Sequence, residues 1–169
     1  MTAAAIRRAT AADATPIAEV HVASFKEAHR GLVPLDQTTV ERREVVWRDI
    51  LDAAASDGFA LVAERESRVV GFCHLATPSR DPDANAGQAE LTSIYVAPEQ
   101  WGRGTGAALL GRAIDELVGR GWREVTLWVL AANDCARAFY SAFGFEPDGA
   151  AKTHERSGQS EVRFRRLIG

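Results

Sequence analysis

The sequence predicts an α+β fold, a mixed and mostly antiparallel twisted sheet flanked by helices, and three observations predict it. Paired apolar runs with tight turns stand at both ends of the chain. Helical and strand periodicities alternate between them, and VTLWVL at 125–130 has no polar face, as a buried central strand requires. A length of 169 residues, 46% of them hydrophobic, suffices for one core, so residues 1–169 read as a single domain.

The first strand is AIRRA at 5–9, and Thr10 with Asp13 three residues on has the form of a capping box opening a helix. Ile17, Val20, Ser24, Phe25 and Ala28 keep helical spacing until Gly31 and Pro34 break it. Val40, Glu44, Trp47 and Leu51 then mark a second helix that runs to about Leu51, and SDG at 56–58 signals a turn. FALVAE and RVVGFCHLA, joined by RES, form an antiparallel hairpin. The stretch from Thr77 to Gln88 has two prolines and no periodicity and reads as a mobile loop before the strand AELTSIYVAP, which Pro98 stops. From Ala107, the residues Leu110, Ala113, Ile114, Leu117 and Val118 make a helical stripe that Gly121 ends. After the 125–130 strand comes a short helix capped by Asn133 or Asp134 and closed by Gly144. The tail turns around Ser157 and Gly158 between two further strands. The order is β, α, α, β, β, β, α, β, α, β, with hairpins on either side of a strand-helix-strand unit.

Composition excludes more than it assigns. The net charge of -3 comes from scattered acids and bases, so neither a nucleic-acid footprint nor a polybasic membrane patch is present. MTAAAIRRATAAD lacks a basic segment followed by a long apolar core, and no run of apolar residues is long enough to span a bilayer; the chain reads as soluble and cytoplasmic. Cys73 and Cys135 show neither CxxC spacing nor a His-rich neighbourhood, so two reduced thiols and no metal site are expected.

The segment PEQWGRGTGAALL at 98–110 carries the chemistry. Gly102, Gly104 and Gly106 alternate just before an apolar helical run. A strand that stops, a glycine turn and an open helix N-terminus make an anion site, because the first helical N–H groups lack partners and the helix dipole is positive there. Arg103 adds a direct charge; a plain tight turn is the competing reading. A P-loop fails, since Ala107 and Ala108 stand where Lys and Ser or Thr are required. A dinucleotide fingerprint matches formally at Gly102, Gly104 and Ala107, but it belongs in a first βαβ unit, not two thirds along a chain of hairpins.

LTSIYVAPEQWGRGTGAALL, followed by Asn133 and FYSAFGF at 139–145, resembles the acetyl-coenzyme A binding core of the GNAT N-acetyltransferase superfamily. The resemblance covers residues 5–168 in element order and is specific over about 90–145. That superfamily's turn, Q/R-x-x-G-x-G/A, falls on Trp101, Gly104 and Gly106, with Trp101 departing from the usual Gln or Arg. The resemblance implies an acetyl-CoA dependent N-acetyltransferase acting on a primary amine of a small molecule or a protein N-terminus. The alternative is a non-catalytic acyl-CoA binding or sensor module, and a nucleotide-binding α/β domain is a weaker rival.

It also implies that the strands at 91–96 and 125–130 splay apart, so that Ile94, Tyr95 and Val96 bind the pantetheine arm. The N–H groups of Gly102, Arg103, Gly104, Thr105, Gly106 and Ala107 then hold the pyrophosphate. Asn133 and Ala136 border the thioester, unless Asn133 is simply a helix cap. Moving acetyl from sulfur to an amine needs an uncharged amine, donors for the oxyanion and a proton for the thiolate. By resemblance the oxyanion donor is main-chain N–H near Ile94 and the acid is Tyr140; aromatic packing is the competing reading of Tyr140. The glutamate of some relatives is Trp128 here, so the base is assigned to Glu90, directly or through water, against a solvated strand-end carboxylate. His21, His29, His74 and His154 are isolated, and Cys135 lacks a partner base for an acyl-enzyme. Glu27, Asp36 and Trp47 are candidates for holding a cationic acceptor, against a default reading of solvated surface and core positions, and the edge of the last hairpin is a candidate surface for a homodimer.

Overall fold

The computed structural model describes residues 3–155 and 157–169; Met1 and Thr2 of the N-terminal reading and Arg156 of the last turn lie outside them. One seven-stranded sheet runs through the fold: β1 (Ala5–Arg8), β2 (Gly58–Arg65), β3 (Arg68–Ala76), β4 (Gln88–Val96), β5 (Glu124–Leu130), β6 (Glu146–Thr153) and β7 (Ser160–Leu167), in the order β1-β2-β3-β4-β5-β7-β6. Every neighbouring pair is antiparallel except β4 with β5. Four helices cover it, α1 (Ala14–Ala28), α2 (Val40–Asp57), α3 (Thr105–Gly119) and α4 (Asp134–Ala142).

Local signals explain most of these boundaries. Asp13 Oδ2 accepts the Thr10 N–H at 2.7 Å and, being paired to Arg7, locks the entry to α1. The β2–β3 turn holds Glu66 and Ser67 at φ 51° and 61°, the two left-handed residues of a tight hairpin turn. The second helix differs from expectation, continuing six residues past Leu51 to Asp57. No separate turn follows, because Gly58 alone reverses the chain at φ 145°, where a Cβ would overlap the Leu75 carbonyl oxygen.

The sheet divides two apolar layers. On one side Ile17, Ala18 and Val20 of α1 and Trp47 of α2 bury against Val62 and Phe72. On the other, Leu109, Leu110, Ala113 and Leu117 of α3 close over Leu61, Cys73, Leu75, Leu91 and Leu127. Fully burying one such leucine contributes about 2–3 kcal/mol, so the two layers together hold the central strands in register. Among the described residues, no helix is long and apolar enough to cross a membrane.

Two imidazoles are enclosed in the first layer. The His21 ring accepts the Trp47 indole N–H at Nδ1, 3.0 Å away, and His74 Nδ1 meets the Thr92 hydroxyl at 2.6 Å. Thr92 Oγ1 spends its own proton on the His74 carbonyl, 3.1 Å away, so His74 Nδ1 carries a hydrogen. Burial lowers His21 to about 3 and His74 to about 4, and His29 shifts the same way, again mainly through burial.

Acid should therefore destabilise the fold well before its carboxylates titrate. The unfolded chain protonates these imidazoles near the ordinary value of 6.5, whereas the folded chain does not until pH falls towards 4 and 3. Stability present above 6.5 is lost as pH falls, at up to about 1.4 kcal/mol per pH unit for each group. Urea unfolding between pH 6.5 and 4.5 should show this slope, and His74→Gln should reduce it by about one group's worth.

Candidate active site

Strands β4 and β5 are bonded through only three register pairs, Gln88 with Glu124, Ala89 with Val125 and Glu90 with Thr126. Beyond Glu90, β4 stays with β3 as far as Val96, while β5 stays with β7 as far as Leu130. The two strands thus part like a fork whose inner edges are not laddered to each other. Thr92 helps to open it: His74 pairs with Ser93 and Leu75 with Leu91, so Thr92 is left over as a bulge that bends β4. Ile94 and Val96 then face the α3 layer and Tyr95 the α1 layer.

The glycine turn sits at the open end of the fork. After Val96 comes a single helical turn, Pro98–Gln100, and then Trp101, whose indole N–H donates to the Val96 carbonyl at 2.7 Å. The residue that departs from the superfamily pattern thus staples the turn to the end of β4. Gly102 and Gly104 stand at φ 72° and 78°, and a Cβ on either would meet nothing within 4 Å. The turn's outer side is therefore open for a ligand to approach the main chain. The first helical hydrogen bond is Ala108 N–H to Gly104 O at 2.9 Å, which leaves the N–H groups of Thr105, Gly106 and Ala107 without helical acceptors. Thr105 Oγ1, buried beside them, also has no hydrogen-bond partner among the described residues. Unpaired donors at a positive helix end, with exposed Arg103 between the two glycines, form a cradle that fits a diphosphate. A Cβ on Gly106 would touch Phe139 and Val96 at 3.5 and 3.7 Å, so α3 packs closely on α4 and the fork.

Tyr140 packs into the α3 layer against Phe139 and Phe145. Burial, with smaller contributions from Tyr95 and Cys73, pushes its phenol far above the usual range, so the hydroxyl keeps its proton at neutral pH. No hydrogen bond among the described residues engages that hydroxyl. Burial likewise raises Tyr95 to about 12 and the Cys73 thiol to about 12, which excludes a Cys73 thiolate nucleophile at neutral pH. Glu90, in the last β4–β5 pair, accepts the Arg80 N–H at Oε2, 3.0 Å away. Asn133 caps α4, its Oδ1 accepting the Ala136 N–H at 3.1 Å, while Ala136 packs on the core. His29 Nδ1 lies 3.0 Å from the Phe25 carbonyl, which can only accept, so its lone pair is on Nε2. Among the described residues, no group of three His, Cys, Asp or Glu side chains could hold a metal.

The fold thus gathers Ile94, Tyr95, Val96 and the 102–107 turn around the fork, with Tyr140 packed on the α3 side and Glu90 at the closed end. Trp47 takes its core reading and not that of an acceptor contact, being buried with its indole donating to His21. The 77–88 segment is corrected, since it is fastened and not loose. Ser79 N–H bonds the Gln88 carbonyl at 2.8 Å, and Asp81 and Asp83 pair with Arg163 of β7. Sequence reading passed over this cluster because its members lie about eighty positions apart; the D-x-D spacing in RDPDAN and the inward arginine of SEVRFRRL were the only local signals.

Residues 17–145 match the Acetyltransferase (GNAT) family. The chain is 26% identical over 142 residues to the uncharacterized N-acetyltransferase YuaI of Bacillus subtilis, covering 83% of this chain and 79% of that protein. It is 37% identical over 91 residues to a mycothiol acetyltransferase of Kocuria rhizophila, covering 53% of this chain and 30% of that protein, so it spans under a third of that relative's length. The fold superposes on the PaiA N-acetyltransferase of Thermoplasma acidophilum, solved in complex with coenzyme A, with a TM-score of 0.80, 21% identity, and coverage of 96% and 98% of the two chains.

Gly104→Ala should separate the turn's two duties. The left-handed backbone at φ 78° costs a non-glycine residue about 1–2 kcal/mol, read as a lower melting temperature. A methyl group on the open face should also weaken acetyl-CoA binding about tenfold or more by calorimetry, beyond any effect of stability.

Proposed function

The chain belongs to the GNAT acetyltransferase family and is an acetyl-CoA dependent acyltransferase, and we propose that it passes the acetyl group by direct attack to a primary amine of a small molecule or a protein N-terminus. The observation that carries this reading is the junction of the β4–β5 fork with the glycine turn, which offers two kinds of unpaired main chain at one place. Edges of parted strands accept an extended amide-bearing arm, and a positive helix end accepts phosphate.

In this reading the N–H groups of Gly102, Arg103, Gly104, Thr105, Gly106 and Ala107 hold the diphosphate, with the buried Thr105 hydroxyl as a further donor. Ile94, Tyr95 and Val96 present main-chain groups to the pantetheine, and Asn133 and Ala136 border it from the start of α4. Bound acetyl-CoA supplies the activated acetyl thioester. The protein supplies alignment, a donor for developing negative charge and two proton transfers.

An amine with a pKa of about 10 arrives protonated and must lose that proton before it can attack. Glu90 takes it, directly or through one water, its carboxylate held by the Arg80 N–H at the closed end of the fork. Main-chain N–H near Ile94 donates to the carbonyl oxygen as it gains charge, and the Thr92 bulge aims that stretch of backbone into the fork. Tyr140 gives its proton to the departing sulfur. Its raised pKa keeps the phenol protonated at neutral pH, so the proton is in place when the carbon–sulfur bond breaks.

A non-catalytic acyl-CoA binding module is the second reading, favoured by Trp128, which stands where some relatives carry a glutamate and is tied to Asp81 through its indole N–H at 2.8 Å. Thiol release from acetyl-CoA across a library of primary amines separates the two, since the binding module takes up acetyl-CoA and turns over none of them. Tyr140→Phe should lower kcat by about 10²-fold while the acetyl-CoA dissociation constant stays within about twofold. Glu90→Gln should lower kcat/KM for the amine, most strongly at low pH; a parallel loss of binding and turnover in either variant would remove that residue's chemical role.

A further inference from the structure

The chain between β3 and β4 leaves the sheet at Ala76, crosses the junction of β4 and β5, and reaches β7. One guanidinium gathers most of the side-chain ties that hold it there. Arg163 stands opposite Trp128 in the β5–β7 pairing, on the face away from α3. Its Nε donates to Asp148 Oδ2 at 2.6 Å, its Nη1 and Nη2 grip Asp83 at 2.6 and 2.9 Å, and Nη1 also reaches Asp81 Oδ2 at 3.3 Å. The other oxygen of Asp81 accepts the Trp128 indole N–H at 2.8 Å. Arg163, Asp81 and Asp148 keep side-chain exposures of only 11%, 9% and 11%, while Asp83 at 63% closes the cluster on its solvent side. Hydrogen bonding to Asp83, then to Asp148, raises the guanidinium pKa even further, so its charge is permanent.

Three carboxylates on a single cation make the clamp one-sided: without Arg163 they repel one another, and Asp81 and Asp148 keep only the Trp128 indole N–H and the Ala150 N–H. The residue between Ser79 and Asp81 is Arg80, whose N–H is the group that holds Glu90. We propose that Arg163 is a positioning residue for acetyl transfer, clamping the 77–88 loop to β5, β6 and β7 so that the Arg80 amide fixes the Glu90 carboxylate at the closed end of the fork. The inference rests on the reading of Glu90 as the base. It accounts for Trp128 as well, because the indole that replaces a strand carboxylate is a strut for the loop that fixes another one.

The test uses the full chain with Arg163→Met, and Asp83→Asn as a milder variant that keeps the interior contacts to Asp81 and Asp148. Amide hydrogen exchange at Arg80 is read by NMR, thiol release is measured with putrescine and an alanine-initiated tripeptide, and acetyl-CoA binding is followed by calorimetry. Arg163→Met should speed Arg80 exchange about tenfold or more and lower kcat/KM for the amine about tenfold, with acetyl-CoA affinity within about twofold. Asp83→Asn should give about a threefold effect on both, and it carries the test if Arg163→Met does not fold. Unchanged Arg80 exchange in the folded variants overturns the clamp, and that arm needs no acceptor. Faster exchange with unaltered amine kcat/KM overturns the positioning role. A Glu90→Gln chain as active as the wild type overturns the parent reading and this inference with it, whereas an impaired Glu90→Gln with an unmoved loop overturns this inference alone.

Discussion

The fold turns on an interruption in its hydrogen bonding. A sheet is stabilised by pairing every N–H with a C=O, and buried main chain left unpaired costs as much as a lost hydrogen bond for each group. Here β4 and β5 abandon each other after Glu90 and Thr126, in the middle of the sheet, where an edge is most costly. Both remain fixed because each has an intact neighbour on its far side, β3 for one and β7 for the other, and because α3 and the aromatic residues of α4 fill the space beneath. The parted edges are thus held open by well-packed surroundings. A ligand with amides of its own would regain what the sheet gave up, and the proposed function rests on that complementarity.

Burial tunes the groups around that opening. Tyr140, Tyr95 and Cys73 are all raised by desolvation, and His21, His29 and His74 are all lowered by it, so these six groups are uncharged at physiological pH. Uncharged surroundings suit a reaction whose nucleophile is a neutral amine and whose transition state develops charge that fixed dipoles can meet. Other charged groups are held in pairs, in the Arg163 cluster and at Arg7 with Asp13.

Much of this was legible in the chain, and the reasons are local. The glycine turn announces itself because two positions need left-handed backbone, and the order of strands and helices follows from periodicity and caps that act within a few residues. The parting of β4 and β5, expected only through family resemblance, appears directly in the register. What escaped depends on distance along the chain. Gly58 ends α2 because of Leu75, which only the folded hairpin brings near. The 77–88 segment looks loose in sequence, being polar and aperiodic, yet its order is imposed by Arg163 from the far side of the sheet. Trp47 stands in the helical stripe of α2 by periodicity, but the partner of its indole N–H, His21, is set by the packing of α1 on α2. Asn133 is a cap by geometry, and the same position flanks the fork, so the two readings that sequence left side by side are compatible.

The most direct test of the central claim is a titration of the amide-labelled protein with acetyl-CoA, followed residue by residue in NMR spectra. Binding in the fork predicts that the largest shifts and the greatest gain in exchange protection fall on Ile94, Tyr95, Val96 and the stretch from Gly102 to Ala107, while β1, β2 and the outer face of α2 stay still. Saturable binding that leaves those amides unmoved, or perturbs a region remote from the turn, contradicts the account.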